Sequence, residues 1–225
     1  MATTLAFDVY GTLIDTNGVT EVLRERMGQR ALSFSRAWRD KQLEYAFRRT
    51  VMGEYADFAV CITDALDFTA RAHGVTLTAA ERDRLLATYQ RLPAFQEARL
   101  ALQALQEAGY TSYAFSNGSR ETVSKLLGDN GLRPYVTDII SVEEVQAFKP
   151  APQVYNHFLE RAGRRADETW LISSNPFDII GASAGGWKTV WVRRLPGAVF
   201  DPWGGEPTAT VASLTDLLEV LPSPG

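Results

Sequence analysis

The fold of this chain is decided by residues 5–13, Leu-Ala-Phe-Asp-Val-Tyr-Gly-Thr-Leu. The stretch begins with an apolar run that is typical of a buried strand, and the run ends in the carboxylate of Asp8. In an α/β protein, ligands bind beyond the carboxyl ends of the strands. A carboxylate at that place can bind a metal, act as a base, or attack carbon or phosphorus. The structural alternative is an Asp that closes a turn.

Downstream of this strand, apolar segments alternate with helical patterns. The expected strands are 3–8, 111–116, 138–141, 168–173 and 188–192, with 210–212 as an edge strand. The helices expected around them are 95–108, 119–129, 153–162, 178–185 and 213–221. This alternation predicts an α/β fold with a doubly wound, mostly parallel sheet and a Rossmann-like core.

The chain from about residue 17 to 92 is helical in pattern almost throughout and follows the first strand directly. Such an interruption of the strand–helix alternation indicates an inserted subdomain. We therefore expect a core domain made of residues 1–15 and 93–225. Residues 16–92 are expected to form an inserted helical cap subdomain, called the helical cap below.

Polar residues and glycines mark helix ends within the helical cap. Ser33 and Ser35 are expected to cap a long helix that ends near Gly53. Thr78 and Glu81 have the spacing of a capping box and predict the start of another helix.

Composition excludes several classes of function. The 225 residues carry a net charge of −4, so no basic surface indicates nucleic-acid binding. No apolar run approaches the roughly 18 residues of a membrane-spanning helix, and no signal peptide is recognisable. Cys61 is the only cysteine, which excludes an intrachain disulfide and fits a reducing compartment. We expect a cytoplasmic protein.

Three further polar sites follow predicted strands or the loops beside them. Ser116-Asn117-Gly118 closes a strand at a helix start, a place that binds anions through backbone N–H groups. Lys149 precedes two prolines, and residues 173–178 read Ser-Ser-Asn-Pro-Phe-Asp. Taken one at a time, a turn or helix cap, a solvated surface lysine and an N-cap cluster are the commoner explanations of these sites.

In this order and spacing, the four sites resemble the haloacid dehalogenase superfamily. Most members are magnesium-dependent phosphatases, with an Asp two residues after the nucleophile and an acidic residue opening the last motif. Here those positions are Tyr10 and Ser174. Both departures resemble the (S)-2-haloacid dehalogenase branch, as do Lys-Pro-Ala-Pro-Gln-Val-Tyr at 149–155 and Trp-Arg-Asp-Lys-Gln-Leu-Glu-Tyr at 38–45.

This resemblance implies hydrolytic dehalogenation of small (S)-2-haloacids, such as haloacetates and 2-halopropionates, to (R)-2-hydroxyacids through an aspartyl ester. The catalytic residues it implies are Asp8, Thr12, Arg39, Lys149, Tyr155, Ser173, Asn175 and Asp178. The substrate-binding residues it implies are Val9, Tyr10, Arg39, Ser116 and Asn117. The halide pocket it implies consists of Tyr10, Arg39, Leu43, Phe58, Asn117 and Phe177.

Each expected role has a chemical reason. Asp8 is the nucleophile, and Lys149 offsets the repulsion between its carboxylate and the anionic substrate. Arg39 faces the departing halide from the helical cap. Asp178 is the candidate base for ester hydrolysis, with Ser173 and Asn175 positioning the water. Thr12 and Tyr155 are expected to orient Asp8 and Lys149.

The expected cofactor set is empty, with no metal, because Ser174 is a neutral hydroxyl and a poor magnesium ligand. The expected partner is a small-molecule haloacid, without nucleic acid or membrane, and a homodimer is left open. Two rival functions also stay open at this point. One is a phosphatase of the same superfamily, and the other is a non-catalytic binding module.

Overall fold

The computed structural model describes residues 3–224. Its centre is a sheet of six strands in the order β3-β2-β1-β4-β5-β6, and every neighbouring pair of these strands is parallel. The strands are β1 Thr4–Asp8, β2 Thr111–Ser116, β3 Asp138–Ser141, β4 Thr169–Ser173, β5 Lys188–Val192 and β6 Ala209–Val211. The predicted doubly wound α/β fold is confirmed. Residues 1–2 and 225 of the expected core domain lie outside the described residues.

The helices occupy the segments in which the sequence predicts them. Four belong to the helical cap, namely α1 Val19–Met27, α2 Ala31–Met52, α3 Phe58–Ala72 and α4 Ala79–Tyr89. Five flank the sheet, namely α5 Ala98–Glu107, α6 Arg120–Asp129, α7 Pro152–Ala162, α8 Pro176–Ala184 and α9 Leu217–Val220. Short 3₁₀ helices lie at Thr16–Gly18, Gly28–Arg30, Arg133–Tyr135, Val142–Val145, Ala166–Glu168 and Leu214–Asp216.

Strand β1 is one of the two central strands of the sheet. All five of its residues are buried, which explains why the apolar run lacks the alternation of a half-exposed strand. Strands β2 and β4 flank β1 on opposite sides, so the strand order reverses there. Such a reversal opens a crevice beyond the carboxyl ends of the strands, where ligands bind in open α/β sheets. Asp8 therefore reaches that crevice.

The two segments that flank the helical cap are hydrogen-bonded to each other beside β1. The backbone N–H of Asp15 donates to the Pro93 carbonyl at 2.8 Å, and the N–H of Phe95 donates to the Leu13 carbonyl at 3.0 Å. The α1–α4 segment thus leaves and rejoins the core at one place. No residue of these four helices joins the sheet within the described part of the chain.

Two of the predicted helix ends in the helical cap are confirmed, and one prediction is wrong. Helix α2 ends at Gly53, which has a left-handed φ of 68°, and Thr78 with Glu81 forms the capping box of α4. Ser33 and Ser35 lie inside α2 and do not cap it. The reason is that the 3₁₀ helix Gly28–Arg30 runs directly into α2, so no extended residue precedes the helix.

Cys61 is buried in α3, as expected of a small apolar core residue. Burial raises the pKa of its thiol to about 11, so the thiol stays protonated at neutral pH. Among the helices described, none combines the length and apolar character that a membrane crossing requires.

Candidate active site

The carboxylate of Asp8 lies at the carboxyl end of β1 and is almost fully buried. Its Oδ2 atom accepts hydrogen bonds from Thr12 Oγ1 and from Asn175 Nδ2, each at 2.8 Å. Its Oδ1 atom accepts a longer hydrogen bond from Lys149 Nζ at 3.3 Å. Because Oδ2 is held by two short hydrogen bonds, Oδ1 is the oxygen with more lone-pair density available for attack on an electrophile.

The ammonium group of Lys149 is buried between two carboxylates, with 1% of the residue exposed. Besides Asp8, its Nζ atom contacts Asp178 Oδ2 and the Phe115 carbonyl oxygen, each at 2.9 Å. These contacts use the three donors of the ammonium and fix its position. The alternative that Lys149 is a solvated surface lysine is therefore wrong.

Asp178 is completely buried near the start of α8. Its Oδ1 atom accepts a hydrogen bond from the Tyr155 hydroxyl at 2.8 Å. Burial raises the pKa of the Asp178 carboxyl, the Lys149 ammonium opposes that increase, and the negative charge of Asp8 adds to it. Burial also raises the pKa of the Tyr155 hydroxyl, which stays protonated and donates at neutral pH. Tyr155 thus donates to Asp178, and Asp178 in turn binds Lys149. The expectation that Tyr155 orients Lys149 by a direct contact is corrected.

Ser116 and Asn117 lie at the end of β2, beside Asp8. The register pairs Asp8 with Phe115, so these two side chains follow directly at the same edge of the sheet. The Ser116 Oγ atom accepts a hydrogen bond from the Gly118 N–H at 3.0 Å and retains its own O–H for donation. The Asn117 Oδ1 atom accepts the backbone N–H of Lys149 at 3.0 Å, so Asn117 also positions the lysine.

The loop after β4 is hydrogen-bonded to the loop after β1. Ser174 Oγ donates to the Gly11 carbonyl at 2.7 Å, and the Ser174 N–H donates to Thr12 Oγ1 at 2.9 Å. Asn175 Nδ2 also donates to the Tyr10 carbonyl, at 3.2 Å. Ser173 is fully buried, and its Oγ atom accepts the Asn175 N–H at 3.1 Å. Ser173 therefore fixes the backbone that presents Asn175 to the nucleophile.

Two glycines permit close approaches in this region. Gly11 has a φ of 93°, and a Cβ atom there would lie 3.3 Å from Ser174 Oγ. Gly181 on α8 lies against Tyr155, and a Cβ atom there would come within 2.7 Å of Pro150 Cβ and closer still to the Tyr155 hydroxyl. Any larger residue at 181 would displace the tyrosine that holds Asp178.

The helical cap contributes Arg39 from α2. The half-buried guanidinium donates from Nη2 to the Tyr10 carbonyl at 3.3 Å. This contact brings it to residues 9–13, which follow the expected nucleophile Asp8 and are called the nucleophile loop below. The Tyr10 ring packs against Phe58 of α3, with centroids 5.9 Å apart. Burial raises the pKa of the Tyr10 hydroxyl, so it stays neutral. Arg39 and Phe58 of the helical cap thus both contact Tyr10, which follows Asp8 by two residues.

The other two residues of the expected halide pocket are Leu43 and Phe177. Leu43 follows Arg39 by four residues on α2 and therefore shares its helix face. The Phe177 ring packs against Phe47 of α2, with centroids 5.2 Å apart. The contacts of Phe177 are thus with the helical cap.

Three polar residues near the site were not predicted. The Tyr89 hydroxyl donates to Gln42 Oε1 at 2.7 Å, and Arg39 Nη1 donates to the same oxygen at 3.4 Å. Arg194, paired with Glu97, donates to the Thr12 carbonyl at 2.5 Å. The three-residue spacing of Arg39 and Gln42 on one helix is a signal that could have identified Gln42. Tyr89 and Arg194 carry no local motif.

Within residues 3–224, no group of three or more His, Cys, Asp or Glu side chains is arranged to hold a metal ion. The expectation of a metal-free reaction stays a prediction, and its test is given in the Discussion.

Comparisons with known proteins agree with this architecture. A family model of haloacid dehalogenase-like hydrolases matches residues 2–186. (S)-2-haloacid dehalogenase 1 of Pseudomonas sp. strain CBS-3 is 39% identical over 189 residues, which are 84% of this chain and 83% of that protein. Haloacetate dehalogenase H-2 of Moraxella sp. strain B is 34% identical over 96% of each chain.

A solved structure shares the fold closely. The L-2-haloacid dehalogenase of Xanthobacter autotrophicus with chloropropionic acid covalently bound superposes with a TM-score of 0.90 at 28% identity, over 97% of this chain and 98% of that one. The chain therefore belongs to the haloacid dehalogenase-like hydrolases. Within them it belongs with the (S)-2-haloacid dehalogenases, as the four motifs indicated.

Proposed function

We propose that this protein is an (S)-2-haloacid dehalogenase that hydrolyses the carbon–halogen bond of small haloacids, such as haloacetates and 2-halopropionates. The observation that carries this proposal is the arrangement of Asp8, a buried carboxylate at the centre of the sheet. One of its oxygens is fixed by Thr12 and Asn175, and the other faces Lys149.

The first half-reaction is a displacement at C2 of the substrate. A lone pair of Asp8 Oδ1 forms the new C–O bond while the C–halogen bond breaks and its electron pair leaves with the halide. Lys149 compensates the charge of two approaching carboxylates, and the Arg39 guanidinium stabilises the charge that grows on the halide. The Ser116 hydroxyl, with backbone N–H groups near Val9, Tyr10 and Asn117, binds the substrate carboxylate.

The second half-reaction hydrolyses the aspartyl ester. Water attacks Cγ of Asp8, and negative charge develops on Oδ2, which already accepts hydrogen bonds from Thr12 and Asn175. These two donors form an oxyanion hole in this proposal. Asp178 takes one proton of the water. The electron pair on Oδ2 then re-forms the carbonyl, the bond between Cγ and the ester oxygen breaks, and Asp178 gives its proton to the departing oxygen, while the second proton of the water is released from the Asp8 carboxyl to solvent. The hydroxyacid leaves with an oxygen that came from Asp8, so C2 is inverted once.

The rival phosphatase function has less support. The position that carries the phosphatase acid–base holds Tyr10, whose raised pKa keeps its hydroxyl neutral. The position of the magnesium-binding acid holds Ser174, whose hydroxyl donates to the Gly11 carbonyl. A non-catalytic binding module has less support too, because it would not need Asp8, Lys149 and Asp178 joined in one buried cluster.

Halide release from a substrate panel tests this proposal. The wild type and the Asp8→Asn variant are incubated with chloroacetate, bromoacetate and each enantiomer of 2-chloropropionate. We expect the wild type to release halide from chloroacetate, bromoacetate and the (S) enantiomer, and to form (R)-lactate from the latter. The Asp8→Asn variant should release none. Equal rates for both enantiomers, retained configuration or activity without Asp8 would contradict the proposal.

Three properties of the protein stay predictions. They are the division into a core of residues 1–15 and 93–225 with a helical cap of residues 16–92, a homodimer and a cytoplasmic location. Sedimentation analysis of the purified protein measures the oligomeric state directly.

A further inference from the structure

The side chain of Gln42 is a polar group buried in the helical cap beside Arg39. Gln42 lies in the middle of α2 and is 0% exposed. Its Oε1 atom accepts two hydrogen bonds, from the Tyr89 hydroxyl and from Arg39 Nη1. Its Nε2 atom is buried and has no hydrogen-bond partner among the described residues.

The orientation of the Gln42 amide follows from the chemistry of its neighbours. A guanidinium can only donate, so the atom that faces Arg39 Nη1 must be the carbonyl oxygen. The Tyr89 hydroxyl, whose pKa is raised by burial, stays protonated and donates to the same oxygen. The amide N–H groups are therefore turned away from both partners.

Stability alone does not explain a glutamine at this position. A buried amide with unpaired N–H groups destabilises the fold relative to an apolar side chain of the same shape. The contacts that this amide gains are with the Tyr89 hydroxyl and with the guanidinium of Arg39, an expected catalytic group. Such a cost is typical of residues that are kept for function.

Arg39 needs a neighbour that fixes it. Arg39 and Tyr89 border a cavity of about 100 Å³, so packing does not fill the space around the guanidinium on that side. A long arginine side chain loses much rotamer freedom when it is held in one place. Hydrogen bonds to Gln42 Oε1 and to the Tyr10 carbonyl hold two different nitrogens of the guanidinium.

We propose that Gln42 is a positioning residue for Arg39, and that Tyr89 holds Gln42 in place. This inference rests on the proposed function, in which Arg39 stabilises the departing halide. Gln42 and the Tyr10 carbonyl fix the guanidinium above the nucleophile loop. The same Tyr10 carbonyl also accepts from Asn175, which donates to Asp8, so one chain of hydrogen bonds connects the helical cap to the nucleophile.

The experiment uses Gln42→Met, which keeps the length and volume of the side chain and removes the acceptor, and Tyr89→Phe, which removes only the hydroxyl. The matched control is Thr69→Val, because Thr69 on α3 is another buried residue of the helical cap with an unpartnered polar atom. Each variant is assayed with chloroacetate and iodoacetate, and its Tm is measured.

We expect Gln42→Met to lower kcat for chloroacetate on the order of 100-fold, the loss that a misplaced catalytic group produces. The loss should be smaller for iodoacetate, because iodide leaves with less help from Arg39. Tyr89→Phe should cause a smaller loss with the same dependence on the leaving group. Gln42→Met leaves the buried Tyr89 hydroxyl unpaired and is expected to lower Tm, so kcat is compared at a temperature at which every variant is folded. Thr69→Val should retain wild-type kcat.

A double-mutant cycle with Arg39→Ala separates positioning from any other role. If Gln42 acts through Arg39, Gln42→Met should have no further effect on kcat in the Arg39→Ala background. Additive losses, equal losses for both leaving groups, or a wild-type kcat in Gln42→Met would overturn the inference. If the wild type itself releases no halide, the proposed function fails instead, so the two failures are distinguishable.

Discussion

At the scale of single residues, the two oxygens of Asp8 have different surroundings. Oδ2 accepts two hydrogen bonds from neutral donors, whereas Oδ1 accepts one longer hydrogen bond from the Lys149 ammonium. In the proposed mechanism, this difference assigns attack to Oδ1 and the later oxyanion to Oδ2. The same lysine also binds Asp178, so one cation serves the nucleophile and the proposed base.

The first prediction concerns Arg39, which lies beside the nucleophile loop. Arg39→Ala should lower kcat for chloroacetate by roughly 100-fold or more while the fold survives, because it removes charge stabilisation needed mainly in the transition state. The measurement is steady-state halide release, with circular dichroism as a check of folding. The matched control is Arg36→Ala, an exposed arginine on the same helix, which should keep wild-type kcat. A folded Arg39→Ala variant with near-normal kcat excludes this role.

The second prediction concerns the buried carboxyl of Asp178. Its pKa is raised in the folded protein, chiefly by burial, so the folded state holds this proton at pH values where the unfolded chain has lost it. The neutral, protonated Asp178 carboxyl therefore contributes its full stabilisation below the ordinary pKa of Asp. This stabilisation of the folded state is lost as pH rises through the raised pKa of Asp178, because the buried carboxyl then ionises. Asp178→Asn lacks this loss, so its free energy of unfolding should increase relative to wild type as pH rises.

Urea unfolding of wild type and Asp178→Asn between about pH 4 and pH 8 measures this difference. The opposite trend, with wild type gaining on the variant as pH rises, would mean that the Lys149 ion pair outweighs burial and lowers the pKa of Asp178.

The identity of the central residues was predictable because each lies where chemistry and position coincide. Asp8 ends a strand, Ser116 ends the next strand in the sheet, and Lys149 precedes two prolines. Gln42 and Tyr89 were not predictable in the same way, because the two residues lie on different helices and are 47 positions apart in the sequence. The partner of Tyr155 depends on how α7 packs on α8, which no sequence pattern specifies.

At the scale of elements, the strands were predicted to within a residue or so because each is a short apolar run bounded by polar or glycine residues. The start of α2 was mispredicted for a physical reason. Ser33 and Ser35 are good caps in isolation, but the preceding 3₁₀ helix continues into α2. The Ser33 hydroxyl instead donates to the Arg30 carbonyl within that helical turn.

The third prediction concerns the start of α4, the helix that ends with Tyr89. Thr78 Oγ1 accepts the Glu81 N–H, and Glu81 Oε2 accepts the Thr78 N–H. Thr78→Ala removes this cap and should lower the free energy of unfolding by about 1 kcal/mol. Thr88→Ala on the same helix is the control and should be neutral or slightly stabilising, because Ala favours a helix interior. Equal effects of the two variants in urea unfolding would show that the cap contributes nothing.

At the scale of the whole molecule, the site is formed by both parts of the chain. The core provides Asp8, Lys149 and Asp178, whereas the helical cap provides Arg39 and Phe58. The two cations, Lys149 and Arg39, therefore come from different segments of the chain. Together they supply positive charge for a substrate that carries a single carboxylate.

The fourth prediction follows from this distribution of charge. Lys149 and Arg39 balance the carboxylate of a haloacid, and Ser174 is a poor ligand for magnesium. Dehalogenation should therefore survive exhaustive EDTA treatment and gain nothing from added magnesium. Hydrolysis of p-nitrophenyl phosphate, measured in the same samples, should be negligible. Loss of dehalogenation with EDTA and its recovery with magnesium would favour the phosphatase alternative.

The central claim is that Asp8 forms an ester with C2 of the substrate and that water then attacks Asp8. The measurement is a single turnover in ¹⁸O-enriched water, with enzyme in excess over (S)-2-chloropropionate, followed by mass spectrometry of the lactate and of the peptide that contains Asp8. The account predicts ¹⁸O in the Asp8 carboxylate and unlabelled lactate, because the lactate hydroxyl oxygen comes from the enzyme. Labelled lactate and an unlabelled Asp8 peptide would contradict it, because water would then have attacked C2 directly.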